Sequence, residues 1–297
     1  MTAEHDEPPG DDRTVGRLAE LAGRVLASAG VLTAILYYFG YVREQALYTY
    51  FGVDLGTVGF TTTDYVVLSA GPVFAPLASA GVLGVGVLIA HHLLVHLMRD
   101  ASHRWRGVMC ACLVAVALTL LTIGAVSLHL RGDRAVGGPY FSPMALLAGA
   151  VLLEYAAENA TAYGVATGTW SEILASTRAL RRLLVVVIAL VAAFWATANV
   201  AQRHGLNAAR AAALSLPISA EAFVYAKERL QISGQGVTMV RLSGRDSAFA
   251  YLYKGLRILA HQGGHWILLP VGWTRDNGER VILLPDSGSD LRVELAP

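Results

Sequence analysis

Hydrophobic positions form long unbroken runs over the first two thirds of the chain and short alternating ones over the last third. Crossing a bilayer takes about 20 mainly apolar residues, because only a helix satisfies every backbone amide within one segment. Five runs approach or exceed that length. Residues 25–42 (VLASAGVLTAILYYFGYV) end in an aromatic cluster suited to a membrane interface. Residues 65–97 are longer than a bilayer requires; Pro72 and Pro76 predict a kink near their start, and Thr61 with Asp64 gives a capping signal ahead of them. Residues 108–130 carry no charge until Arg131, and residues 141–165 enclose Glu154 and Glu158. Residues 183–201 follow Arg178, Arg181 and Arg182.

From about Leu216 the runs shorten, alternate and are punctuated by glycine. Residues 222–232, 237–242, 266–273, 280–285 and 291–295 read as strands, and residues 248–260 as a strand or a short helix. Asp276-Asn277-Gly278 predicts a hairpin turn. The expected fold class is an α-helical membrane bundle of about five transmembrane helices with a small C-terminal β-rich (α+β) domain. Residues 1–20 are expected as a disordered cytosolic tail, 21–204 as the transmembrane domain and 205–297 as an extracytoplasmic β-rich domain.

Composition supports the membrane class: 55% of the 297 residues are hydrophobic and only 15% charged, against about 25% charged in soluble domains. The net charge of +1 gives no basis for nucleic-acid binding. Arginine placement sets the orientation, since cytosolic flanks carry the excess of positive charge. With the N-terminus inside, Arg13, Arg17, Arg24, Arg99, Arg104, Arg106, Arg178, Arg181 and Arg182 are cytosolic, and Arg43, Arg131, Arg134, Arg203 and Arg210 are not. Nine against five favours five spans and an extracytoplasmic C-terminus. Without the fourth span, Arg178, Arg181 and Arg182 would change sides and the bias would collapse.

Candidate chemistry is sparse. Glu154 and Glu158, four apart, share one helical face, with Asn159 beside them. A carboxylate in a bilayer is costly, so three readings stand: the span ends near Leu153 and both meet cytosolic water, they pair with arginines, or they mark an ion or proton path. His92 and His96, with His91 nearby, have the four-residue spacing of a metal pair and lie at a depth similar to the glutamates. Interfacial histidines without a function are the competing reading. Cys110 and Cys112 point to different faces and read as small core residues. His261 and His265 flank a Gly263-Gly264 turn without an evident third ligand. No G-x-S-x-G elbow gathers the serines of the tail. No cofactor is expected. Gly81, Gly84 and Gly86, with Ala78, Ser79 and Ala80, would permit close packing of the second span.

The segment between the first two spans, EQALYTYFGVDLGTVGFTTTD, is too aromatic for a solvated loop. Its rings, Tyr50 and Phe51 among them, suit either headgroup depth or a docking surface for the tail domain with Asp54 as polar contact. YKGLRILAHQGGHWILLPVGW and ERVILLPDSGSDLRVEL, with the earlier YFGVD, resemble a group of multi-pass membrane proteins of actinobacteria. The resemblance implies an architecture over most of the chain and carries no activity or functional residue. Three functional classes follow, in order. The first is a non-enzymatic envelope protein presenting its outer domain for interaction or sensing, with the bilayer, itself or another envelope protein as partner. The second is a small transporter or channel component using Glu154 and Glu158; the third is a membrane-embedded metalloenzyme.

Overall fold

The computed structural model describes residues 11–129, 138–243, 248–286 and 288–296. The first ten residues of the expected tail, and Arg131 and Arg134, lie outside that set. Six α-helices among the described residues precede a C-terminal antiparallel sheet: α1 Asp11–Tyr50, α2 Thr62–Asp100, α3 His103–His129, α4 Gly138–Ala162, α5 Thr169–Ser176 and α6 Arg178–Ser215. Among the described residues Gly81–Asp100, His103–Leu128, Phe141–Ala162 and Arg178–Ile218 are long and apolar enough to cross a membrane; the first predicted span, residues 25–42, is not one of these four. Their outward faces carry apolar side chains that water would not stabilise: Val82, Leu83, Val85, Val87, Leu88 and Ile89 of α2 are each more than half exposed.

Close approaches give the helix directions. A Cβ on Gly40 of α1 would stand 2.0 Å from the carbonyl oxygen of Tyr65 at the start of α2, so these two helices form an antiparallel pair. Gly124 of α3 abuts Leu146 of α4, and Gly149 of α4 abuts Leu121, again antiparallel. Glu154 of α4 meets Arg181 of α6, while Gly205 of α6 abuts Arg43 of α1 and Phe194 meets Tyr38. Helices α1, α3 and α6 therefore run one way, and α2 and α4 the other. The glycines used are not those expected, since Gly81, Gly84 and Gly86 have nothing within 4 Å of an added Cβ. They face outward on α2, where no helix among the described residues packs.

Two helices run far past the predicted spans. At 40 and 38 residues, α1 and α6 are each about 60 Å long, twice a hydrocarbon core. The first third of the aromatic segment is thus the last turns of α1, and residues 205–215, expected in the β-rich domain, complete α6. Alanine-rich sequence favours that continuation, and Ala201, Gly205 and Ala209 are buried along it.

The sheet contains β1 Glu221–Ala226, β2 Thr238–Arg241, β3 Tyr251–Gln262, β4 His265–Pro270, β5 Ile282–Pro285 and β6 Leu291–Ala296. Strand order is β5-β4-β3-β1-β6, and β2 also pairs with β3. The first half of β3 is bordered by β2 and the second by β4, with the division at Gly255. Its φ of 79° and the carbonyl of Gly236, 2.0 Å from any added Cβ, require glycine there. The first strand ends earlier than its apolar pattern suggests, because the Tyr253 hydroxyl donates to Leu230 O and accepts from Leu230 N, each at 2.8 Å. The connection after β4 is longer than a tight hairpin; Asn277 Oδ1 organises it by accepting from the backbone N–H groups of Thr274 and Glu279. One core, around Tyr253, Leu256, Val224 and Leu268, lies within the sheet. A second joins the sheet to the helices.

Candidate functional site

Charged side chains gather at the end of the bundle opposite the sheet. Arg181 Nε donates to Glu154 Oε2 at 2.7 Å, and its Nη1 donates to Leu174 O and to Thr177 Oγ1. Arg178 Nη2 donates to Glu158 Oε1 at 3.2 Å, and Arg182 donates to the same oxygen. Both glutamates thus sit in one network with three arginines from the first turns of α6. Glu154, 12% exposed, is the more enclosed carboxylate; loss of Arg181 would leave it only the longer contact to Arg182, at 3.9 Å. Arg181 also ties α5 to α6; α5 is a short helix that the predicted spans passed over, although Thr169-x-x-Glu172 has the spacing of a capping signal.

The histidines do not converge on these carboxylates. His92 Nδ1 donates to Leu88 O at 2.9 Å within its own helix, and His96 lies exposed one turn on. The neighbouring His91 meets α4 instead, its Nδ1 2.9 Å from the Tyr155 hydroxyl. Among the described residues no group of three or more His, Cys, Asp or Glu stands close enough to hold a metal ion. Cys110 is buried and Cys112 exposed, on different faces of α3.

An apolar cavity of about 850 Å³ opens between α3, α4 and α6 beside this network. Ala111 and Ala115 of α3, Ala157 and Ala160 of α4 and Ile188 of α6 line it, and Glu154 and Arg181 stand at its polar end. Small side chains on facing helices leave the space unfilled.

At the opposite end, the aromatic segment packs against the sheet. Tyr48, Phe51, Val53, Leu55 and Val58 are buried with Ile267, Leu269 and Trp273, and with Ala209 and Leu216. Phe51 lies 4.9 Å from Trp273 between ring centroids, and Tyr50 carries the Arg275 guanidinium 4.8 Å above its ring. Backbones touch as well: a Cβ on Gly263 would stand 2.3 Å from Val58 O. Asp54 does not supply the polar contact. Its side chain accepts from Gly56 N and caps the short 3-10 turn Leu55–Thr57. Asp64 supplies it instead, accepting from Gln262 Nε2 at 3.3 Å while closing the capping box with Thr61. Donation by the Thr61 backbone N–H, then by its hydroxyl and by Gln262, holds the Asp64 carboxyl below its ordinary value. The density of rings around Tyr50 and Phe51 signalled one side of this interface. Nothing local marked Trp273, Arg275 or Gln262 as the other.

A more polar cavity of about 500 Å³ lies under the same junction, lined by Tyr38, Gln45, Thr49, Tyr50, Gln202 and Arg275. The two tail histidines diverge. His261 Nε2 is 2.9 Å from Asp286 Oδ2, which Trp266 also engages through Oδ1, whereas His265 turns to Gly263 O.

No protein-family model, curated protein or solved structure matches this chain.

Proposed function

We propose that the chain is a multi-pass membrane protein with five spans that holds a small β domain at its outer face as a fixed platform for interaction or sensing. The observation behind this reading is the apolar junction, in which Phe51 and Trp273 are both buried between helices and sheet. A domain tethered by a flexible linker would expose those rings. Among the described residues β2, β5 and β6 are edge strands, and with Met239, Val240, Leu283 and Leu295 exposed they offer surfaces to a partner. A transport role for Glu154 and Glu158 is the weaker reading, because guanidinium groups already engage both carboxylates.

Alkaline phosphatase fused after Pro297 tests the arrangement. Active enzyme is expected, and inactive enzyme beside a fluorescent cytosolic reporter at the same position would overturn it. In proteoliposomes, parent protein and the Glu154→Gln/Glu158→Gln variant are expected to show the same proton leak. A flux present in the parent and lost in the variant would replace the platform by a transporter.

A further inference from the structure

The cavity between α3, α4 and α6 and the arginines at its mouth together have the chemistry of an amphiphile site. We propose that it seats one anionic phospholipid, with an acyl chain in the cavity and the phosphate on Arg178 and Arg182. Lined by alanine, leucine and valine, the cavity has a volume of about 850 Å³, within the range of sites that enclose a drug-sized ligand. Its walls come from membrane-length helices, so its neighbours are lipid chains rather than water.

Charge selects the headgroup. Three arginines face two glutamates here, which leaves one positive charge in excess. Arg181 is committed to Glu154 and to backbone, but Arg178 and Arg182 are 57% and 56% exposed, with guanidinium N–H groups beyond those that Glu158 uses. Arg106 adds a fourth positive charge at the same end, next to the cavity-lining Gly107 and 5.5 Å from the Tyr163 ring. Basic pockets between spans recognise anionic headgroups through such contacts. The lipid would also fill the void that small side chains leave, an otherwise unpaired apolar surface. This inference rests on the membrane reading of the bundle but not on which way the β domain faces.

Native mass spectrometry of the full chain in detergent measures it directly, titrating dioleoyl phosphatidylglycerol against dioleoyl phosphatidylcholine. One phosphatidylglycerol should bind about tenfold more tightly than phosphatidylcholine. Arg178→Gln, at a surface position that leaves the fold intact, should reduce that preference severalfold. Ala111→Phe places a ring in the cavity from an exposed position on α3 and should abolish the bound lipid. Equal binding of the two lipids by the parent, or a preference that survives Ala111→Phe, would overturn the site. Because the measurement is made in micelles, its failure is distinct from failure of the topology assigned above.

Discussion

Two carboxylates at the sheet end of the bundle differ in surroundings, and the difference sets opposite pH responses. Glu44, just past the first predicted span, is 4% exposed with Arg43 as its ion-pair partner. Burial raises its carboxyl above the ordinary value of 4.5, and Arg43 offsets only part of that. A raised folded value means that the folded state holds the proton more tightly than the unfolded one. The stabilisation is complete below 4.5 and is lost as pH rises through the folded value. Asp64 has the reverse sign, its lowered value giving stability that is kept above 3.8 and lost only in stronger acid. The windows do not overlap. Melting temperature of the parent in detergent is therefore expected to fall from pH 4.5 towards neutral, and Glu44→Gln to flatten that slope. An unchanged slope in the variant would remove Glu44 as its source. The Asp64 cap was legible in the spacing of Thr61 and Asp64, whereas nothing in the sequence singled out Glu44 within the aromatic segment. Its burial comes from neighbours far along the chain.

At the level of elements, hydrophobic runs marked the helices well because their length is a bilayer requirement, and alternation marked the strands because one sheet face is buried. Which faces meet was not legible. Gly81, Gly84 and Gly86 look like a packing stripe, yet the contacts fall at the isolated Gly40, Gly124, Gly149 and Gly205. Each isolated glycine meets a partner brought to it by topology, and spacing along one helix holds no information about that. A pair of substitutions checks the distinction. Gly205→Ala would set a Cβ 2.2 Å from Arg43 O, so α1 and α6 must separate, at a cost of about 1–3 kcal/mol. Gly84→Ala meets nothing and improves helix propensity, so its stability should equal or exceed that of the parent. Thermal unfolding of both in the same detergent gives the comparison; equal loss in the two would show that the α1–α6 approach is not specific.

Across the whole molecule, two cores of different origin decide how the β domain behaves. The core around Tyr253, Leu256 and Val224 is made by the sheet alone, whereas the one around Trp273 is shared with α1, α6 and the segment between α1 and α2. Removing a ring from the shared core should therefore release the domain without unfolding it. Trp273→Ala deletes the side chain that touches Phe51 and Tyr50, a change of about 3–5 kcal/mol for a buried aromatic. Hydrogen exchange separates the possible consequences. Loss of protection confined to β4 and to residues 52–60, with β1 and β3 still protected, is expected because the sheet keeps its own core. Loss across all six strands would mean that the domain has no stability apart from the bundle. Docking would then be part of folding, and the platform reading would require both to form as one unit.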